Sequence, residues 1–381
     1  MKILRKIIVT IRLAAAVCLL LAATAWTQDL KTVADGVEFA ETEQRLSGDP
    51  VRIFLLRLDP AKVRLDVRHA GDAAIGTETT SSIARRHHAI AAINAGFFRL
   101  DSTEFAGEAA GVLYIDKKLL SESLNGRIAV FIENGKHETK IDIAHLNIGG
   151  SIKIKNKILT VSGINREIKP NEAVLYTSEF PAALVARNRD LQIVVVNGQI
   201  IDIKPNGGTN LIPKNGFVLA ANGDKAVELA AAARIGRRAQ YFDDLLAEPG
   251  ERKASVAFAR AEDITNGVSQ LISGGEVKIT WQQEKASASF AENRHPRTAI
   301  AKLRDGKILL AAVDGRQPNV SVGMTLAELA EFLLKMGATD AANLDGGGST
   351  TMFVDGKVVN TPSDKTGERR IGDAILVTLR K

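Results

Sequence analysis

The sequence predicts an α+β fold in which a large, mostly antiparallel sheet is covered by a few helices. Short apolar runs of strand length recur along the chain, and many of them meet at glycine turns such as Asn197-Gly198 and Asp355-Gly356. Glycine supplies the positive φ angles of tight hairpins, so neighbouring runs are expected to pair antiparallel. Patterns of helical period are found at only three places, which favours a few covering helices.

Ten segments carry the strand signal, and residues 341–344 add a short apolar strand start. The predicted strands are 51–58, 63–68, 111–115, 127–132, 191–196, 199–203, 217–221, 308–313, 351–354 and 371–379.

The clearest helix is predicted over 326–336. Thr325 and Glu328 form a capping box before it, and Gly337 ends it. Its apolar residues recur at helical spacing and its charged residues indicate a solvated face, so we expect a scaffolding role. Residues 81–88 and 226–233 are further helical candidates.

The first residues have the pattern of a signal peptide. Four basic residues, Lys2, Arg5, Lys6 and Arg12, precede an apolar run over 13–25 that ends in the small residues Ala23-Thr24-Ala25. A retained membrane anchor is the alternative, but the run is shorter than the roughly 20 residues that span a bilayer. We therefore expect cleavage after residue 25 and export to the periplasm or beyond, with no stable membrane insertion afterwards.

Removal of this leader changes the chemistry expected of the mature protein. Cys18 is the one cysteine and lies in the leader after Val17, so neither lipid attachment, disulfides nor thiolate metal ligands are expected. The four basic residues of the leader also account for most of the formal charge of +6, which falls to about +2 without them. Nucleic acid is therefore not an expected partner.

The 381 residues are 45% hydrophobic, enough for one large core or two modest ones and too much for a disordered chain. We expect a strand-rich N-terminal segment over 26–90, packed on a catalytic domain over 91–381. The region 121–176 is the least readable part of the sequence and is interpreted as a possible insertion or small subdomain.

The strongest chemical signal is the run from Asn343 to Thr350, which contains Asp345, Gly346, Gly347, Gly348 and Ser349. Three successive glycines cost backbone entropy, so either a sharp turn or a closely approaching ligand must require them. The run lacks the Gly-Lys-Ser/Thr end of a nucleotide-binding loop. It therefore predicts a site built around a carboxylate.

Further candidate residues follow predicted strands or apolar runs. Arg297 follows His295 and Pro296 at the mouth of a strand, where a guanidinium can bind phosphate or carboxylate in a bidentate manner. Asp314 and Arg316 follow the next strand, and an ordinary Asp-Gly turn is the equally weighted alternative. Taken alone, the arginine also fits a surface salt bridge and the histidine a core residue.

Asn94 and Arg370 complete the candidate set. Asn94 ends an apolar run before Gly96, Phe97 and Phe98, and its two aromatic neighbours are expected to be core residues. Arg370 lies in a charged stretch before the last strand and could reach an anion, although a surface charge run is the commoner meaning. No cofactor is expected, and a hard cation such as calcium on oxygens of Asp345 and Asp314 is left open.

The ordered series of these motifs resembles the phosphodiester glycosidase family, from about residue 91 to residue 379. The motifs are 93–98, 212–216, 273–275, 295–299, 313–316, 343–350 and 359–363. Two positions depart from the family pattern: Ala95 stands where glycine is usual, and Glu276 where a proline often follows the glycine pair. These departures concern the shape of the substrate pocket and leave the expected fold unchanged.

The resemblance implies hydrolysis of a sugar-1-phosphodiester in cell-envelope or exopolysaccharide material, so the expected partner is a sugar phosphate or polysaccharide. Under this hypothesis Asp345 supplies the carboxylate and Arg297 the phosphate clamp, with the two meeting at one cleft. Asp314 and His295 support catalysis. Asn94, Arg316, Asn343, Gly346, Gly347, Gly348, Ser349, Thr350 and Arg370 contact or orient the substrate.

Two alternatives stay open at this point. A non-enzymatic envelope protein could bind anionic glycan with the same architecture. An ordinary glycosidase would need a protonated second carboxylate, such as Glu108 or Glu368.

Overall fold

A computed structural model describes residues 29–209, 211–246 and 252–380. The predicted signal peptide, residues 1–25 with Cys18, lies outside the described residues. Residues from Lys31 onward form one compact unit. Within the described part of the chain, no helix is both long and apolar enough to cross a membrane.

The strands, numbered in chain order, are β1 Lys31–Ala34, β2 Val37–Leu46, β3 Asp49–Leu58, β4 Val63–His69, β5 Glu78–Thr79, β6 Ala91–Asn94, β7 Leu113–Ile115, β8 Lys118–Ser121, β9 Ile128–Asn134, β10 Thr139–His145, β11 Ile148–Ile154, β12 Lys157–Val161, β13 Gly163–Ile164 and β14 Ala173–Tyr176. They continue as β15 Leu191–Val196, β16 Gln199–Lys204, β17 Gly216–Ala221, β18 Ala239–Leu245, β19 Asp263–Asn266, β20 Gln270–Ser273, β21 Glu276–Val277, β22 Arg297–Leu303, β23 Ile308–Val313, β24 Ala338–Asn343, β25 Met352–Val354, β26 Lys357–Val358, β27 Arg370–Ile371 and β28 Asp373–Leu379.

The α-helices of the described residues are short. They are α1 Thr80–Arg86, α2 Ala182–Arg187, α3 Gly223–Ala232, α4 Arg252–Arg260, α5 Ala288–Glu292 and α6 Leu326–Lys335. The helix predicted over 326–336 is α6, and both hydrogen bonds of its predicted capping box are present. The candidates at 81–88 and 226–233 correspond to α1 and α3, each with shifted ends.

The fold is mostly antiparallel, as the sequence predicts. Strand order in the large sheet is β1-β2-β3-β23-β22-β24-β20-β21, and in the second sheet β26-β25-β6-β28-β4. Among the strand pairs of the described residues, only β13 and β14 run parallel. Strands β1 to β4 belong to the same two sheets as strands from the second half of the chain, whereas β5 pairs with β27 in a separate two-stranded sheet. The N-terminal segment is therefore an integral part of both large sheets.

The two sheets pack face to face, with a helix covering each outer face. On β3, Phe54, Leu56 and Leu58 join the core between the sheets. The alternate residues Ile53 and Leu55 pack instead with α6, as the two-residue period of a strand requires. On the far side, α1 covers the second sheet.

Residues 112–264 contribute a second core built on smaller sheets. Their strand orders are β10-β9-β19-β7-β8, β12-β11-β18 and β13-β14-β17-β15-β16. The region 121–176, the least readable in the sequence, supplies six of these strands, β9 to β14.

Candidate active site

Three distant segments meet where β24 ends. The amide of Leu344 donates to the Thr298 carbonyl at 2.8 Å, the amide of Asp345 to the Ala95 carbonyl at 2.9 Å, and the amide of Gly347 to the Pro296 carbonyl at 2.9 Å. The motifs around residues 94, 297 and 345 are therefore brought together by backbone hydrogen bonds. We call residues 345–350 the acidic glycine turn.

Asn94 fixes the start of this turn from the end of β6. Its side chain is fully buried. Its Nδ2 donates to the Asp345 carbonyl at 2.6 Å, and its Oδ1 accepts from the Thr298 hydroxyl at 2.9 Å and from the Thr351 amide at 3.1 Å. The Asn94 side chain thus orients Asp345 by binding its backbone carbonyl.

Asp345 is half-buried, and the surrounding protein displaces much of the water around its carboxyl group. This desolvation raises the pKa of Asp345 to about 6. The nearby Ser349 hydroxyl, the Gly346 amide at 2.9 Å and the Arg369 charge act in the opposite direction. The buried Ser349 Oγ makes no full hydrogen bond to another described residue. The turn therefore holds an acid that titrates close to neutral pH.

Close packing accounts for the glycines. A Cβ on Gly346 would lie 2.7 Å from the Pro296 carbonyl, and Gly347 has a left-handed φ of 61°. A Cβ on Gly348 would lie 2.1 Å from Asp364 Oδ1. The amides of Gly346 and Gly347 are already paired within the protein, so they have no free N–H for the substrate that we expected them to contact.

Two guanidinium groups flank the turn. Arg316 is exposed, and its Nη2 lies 3.0 Å from the position of a Cβ on Gly347. It makes no hydrogen bond or salt bridge to another residue in the described ranges. Arg369 lies against Gly348 and forms a bidentate salt bridge to Asp364 at 2.7 and 2.9 Å. Both guanidinium groups therefore lie against glycines of the turn that begins at Asp345.

Arg297 starts β22 next to the turn, but its guanidinium is buried on another side. Nε donates to the Met324 carbonyl at 2.8 Å, and Nη2 donates to those of Phe290 at 2.7 Å and Asn293 at 3.1 Å. Burial lowers the pKa of Arg297 to about 10. The predicted phosphate clamp at Arg297 stays untested, and this orientation favours a structural role.

Replacing Arg297 with lysine is expected to destabilise the fold by roughly 2–4 kcal/mol, because one ammonium group cannot serve three carbonyls in this geometry. Thermal unfolding measures the loss. Arg316→Lys is the matched control and should leave the midpoint unchanged, since Arg316 is exposed. Equal midpoints for the two variants would contradict the structural role of Arg297.

Asp314 and Arg370 are engaged elsewhere. The buried Asp314 carboxylate accepts from Asn360 Nδ2 at 3.0 Å and from the Thr361 amide at 3.0 and 3.1 Å. Burial raises the pKa of Asp314. Arg370 is exposed and donates to the Thr77 carbonyl and hydroxyl. Asp314 therefore anchors the segment after β26, and Arg370 links β27 to the chain before β5.

The remaining candidates line or support the turn. His295 is half-buried, its Nε2 lies 3.2 Å from the Ser289 carbonyl, and burial lowers its pKa. Asn343 is buried and donates to the carbonyls of Val268 and Leu344. The Thr350 carbonyl accepts from Asn360 Nδ2 at 3.0 Å. Asn343 and Thr350 therefore shape the turn from inside.

One buried acid at the site was given no role from the sequence. Asp373 begins β28, and its charge acts on Asp345. Its place in a charged run before the last strand was the available signal. Among the described residues, no group of three or more His, Cys, Asp or Glu side chains is arranged to hold a metal ion.

Comparisons with known proteins bear on the same region. Residues 190–378 match the sequence model of the phosphodiester glycosidase family. The bovine N-acetylglucosamine-1-phosphodiester alpha-N-acetylglucosaminidase is 37% identical over 110 residues, which are 26% of this chain and 20% of that protein. The human protein of the same name is 36% identical over 110 residues, 26% of this chain and 21% of its own length. The matches thus span about a fifth of these relatives.

Two solved structures share the fold over most of the chain. A hypothetical protein from Synechocystis has a TM-score of 0.76 at 23% identity, covering 94% of this chain and 65% of its own. A Burkholderia pseudomallei protein, described by name as exported, has a TM-score of 0.75 at 25% identity, covering 87% of this chain and 74% of its own. The family match over residues 190–378 confirms the resemblance predicted from the motifs: this chain resembles the phosphodiester glycosidases.

Proposed function

We propose that this protein is an exported hydrolase that cleaves a sugar-1-phosphodiester at the anomeric carbon. The observation that carries the proposal is the acidic glycine turn: Asp345 is half-buried, and the guanidinium groups of Arg316 and Arg369 lie against the next residues of the turn, Gly347 and Gly348. This arrangement suits a reaction in which the anomeric carbon of the sugar gains positive charge and the phosphate leaving group departs as an anion. The carboxylate would face the carbon, and the cationic groups would face the phosphate.

The chemistry follows from the bond that breaks. Cleavage of the C1–O bond develops oxocarbenium character on the sugar, which a nearby carboxylate stabilises or attacks. The departing phosphomonoester is already a weak base, so guanidinium groups can stabilise its charge where ordinary glycosidases need a protonated acid. Water supplies the new hydroxyl on C1, and its proton is released to solvent or to Asp345.

We assign Asp345 the carboxylate role and transfer the phosphate clamp from Arg297 to Arg316, with Arg369 as a second cation. Arg316 is exposed and without a partner among the described residues, whereas the donors of Arg297 are occupied. Asn94 orients Asp345 through its backbone carbonyl. The buried Ser349 hydroxyl lies near the carboxyl group, and His295 borders the site. The proposed reaction is unchanged, but Arg316 rather than Arg297 binds the phosphate.

The relatives support the substrate class. The bovine and human enzymes are named for a sugar-1-phosphodiester, N-acetylglucosamine-1-phosphodiester. The predicted signal peptide and the likeness to a protein described as exported support action outside the cytoplasm. Together they favour a sugar phosphodiester of the cell envelope or of exopolysaccharide as the substrate.

A substrate panel tests the proposal. The purified mature protein is incubated with sugar-1-phosphodiesters, including nucleotide sugars and teichoic-type polymers, and with neutral aryl glycosides. Free sugar should be released from at least one phosphodiester and not from the neutral glycosides. Release from the aryl glycosides alone would favour the ordinary glycosidase, with Glu108 or Glu368 as its acid.

Side-chain contacts make that ordinary glycosidase less favourable. Both oxygens of Glu368 accept from Ser81, one from its amide and one from its hydroxyl, each at 2.6 Å. Burial raises the pKa of Glu108, but Arg99 lies 3.5 Å from it and acts in the opposite direction. Glu368 thus binds the start of α1. Glu108 is the remaining candidate for the protonated acid of an ordinary glycosidase.

The exposed Arg316 also suits the second candidate function, a protein that binds anionic glycan without cleaving it. Binding of a teichoic-type polymer that is unaffected by Asp345→Asn, with no sugar released by either protein, would favour that alternative.

A further inference from the structure

Asp373 is a buried acid whose oxygens are both occupied by protein donors. The residue is 3% exposed. Oδ1 accepts from the Gly96 amide at 2.9 Å, and Oδ2 accepts from the Thr265 hydroxyl at 2.6 Å. A carboxylate so enclosed does not contact substrate, so any influence on the reaction must pass through its neighbours.

A short path of hydrogen bonds joins Asp373 to Asp345. The Asp373 carbonyl accepts from the Ala95 amide at 3.0 Å, and the Ala95 carbonyl accepts from the Asp345 amide at 2.9 Å. Asp373 therefore binds both amides of the turn at Ala95 and Gly96, one through its backbone carbonyl and one through its carboxylate. The Ala95 carbonyl in this turn binds the Asp345 amide.

The turn at Ala95 and Gly96 is closely packed by its neighbours. A Cβ on Gly96 would lie 2.6 Å from Asn266 Nδ2, 2.8 Å from Thr265 Oγ1 and 3.1 Å from Asp373 Oδ1. Asn266 also brackets Phe97, accepting from its amide at 2.9 Å. Displacement of Asp373 would therefore move the backbone that places Asp345.

Asp373 forms no salt bridge within the described part of the chain. Burial raises its pKa, and the Thr265 hydroxyl and His69 act in the opposite direction. His69, on β4, is 2% exposed. His69 Nε2 lies 2.9 Å from the Gly107 carbonyl and Nδ1 has no partner among the described residues. Burial lowers the pKa of His69, and the charge of Asp373 acts in the opposite direction. On the solvent side, Arg369 is the charge that acts on Asp345.

We propose that Asp373 is a positioning residue for Asp345: it fixes the turn at Ala95 and Gly96 that binds the Asp345 backbone, and it places a second negative charge behind the Asp345 carboxyl group. The inference rests on the proposed catalytic role of Asp345. Its consequence is that Asp345 gives up its proton less readily than an ordinary aspartate and is a correspondingly stronger base or nucleophile.

The test is the titration of Asp345 itself. Carbon-13 labelling of aspartate carboxyls gives its pKa by NMR, with the Asp345→Asn spectrum assigning the signal. Asp373→Asn should lower the pKa of Asp345 by about 0.5 to 1 and shift the acidic limb of kcat/KM to lower pH by the same amount. Asp355→Asn, which removes an acid at an exposed turn, is the control and should leave the pKa of Asp345 unchanged.

An unchanged titration of Asp345 in a folded Asp373→Asn protein would overturn the inference. If that variant does not fold, Asp373→Ser, also neutral and smaller, gives the same comparison, and an unchanged pKa there would overturn it equally. The NMR titration needs no substrate, so a shifted pKa in a protein that releases no sugar would uphold the electrostatic role and reject the proposed function.

Discussion

Asp345→Asn is expected to lower kcat/KM for a sugar-1-phosphodiester by about a thousandfold or more, because the amide can neither attack C1 nor stabilise its positive charge as a carboxylate does. Released sugar measures the loss. The control is Asp355→Asn at an exposed turn, which should keep full activity. An active Asp345→Asn protein would remove Asp345 from the mechanism.

The same substitution should stabilise the protein at pH 8. The folded pKa of about 6 lies above the value of about 3.9 for an unfolded aspartate. The folded state therefore holds the proton more tightly, and this contribution to stability is lost as pH rises from about 4 to 6. Above pH 6 the ionised carboxylate costs about 1–2 kcal/mol, allowing for its partial exposure.

Asparagine carries no such cost, so the unfolding midpoint of Asp345→Asn should exceed that of the wild type at pH 8, and the difference should shrink at pH 4. Calorimetry at the two pH values makes the comparison. A variant less stable than the wild type at pH 8 would show that the carboxylate is stabilised by its surroundings, which would contradict the raised pKa of Asp345.

Arg316→Gln is expected to lower kcat/KM for phosphodiester substrates roughly 100- to 1,000-fold, the usual effect of removing one donor to a developing anion. The unfolding midpoint should not change, because the Arg316 side chain is exposed. The loss should be larger for kcat than for binding of the intact substrate, since the charge on the leaving group grows in the transition state.

Arg304→Gln is the matched control, since Arg304 is another exposed arginine, on the turn after β22. It should retain wild-type rates. Similar activities for the two variants would place Arg316 outside the site and leave Arg369 as the cation for the phosphate.

Local sequence chemistry predicted much of the fold. The capping box at Thr325 and Glu328 depends on residues three positions apart, and the hairpin glycines act within their own turns, so both could be recognised from the sequence. Strand partners could not, because β3 pairs with β23 across most of the chain. The strand pairing of 121–176 could not be predicted for the same reason, because β11 pairs with the distant β18.

The site divides in a similar way. The acidic glycine turn and Asn94 could be predicted, since an acid followed by three glycines, or an amide ending a buried run, is unusual in itself. The direction of the Arg297 guanidinium depends on carbonyls at residues 290, 293 and 324, which its own motif does not reveal. Asp373 gains its role through contacts with Gly96 and Thr265, and sequence spacing indicates neither.

Hydrolysis in water enriched in oxygen-18 tests the central claim most directly, because it reports which bond breaks. The purified protein would act on a sugar-1-phosphodiester, and phosphorus NMR would read the phosphomonoester, whose oxygens do not exchange with water under these conditions. Cleavage at the anomeric carbon predicts an unlabelled phosphomonoester, with the new oxygen on the sugar. Oxygen-18 in the phosphomonoester would mean attack at phosphorus and would contradict the proposed mechanism.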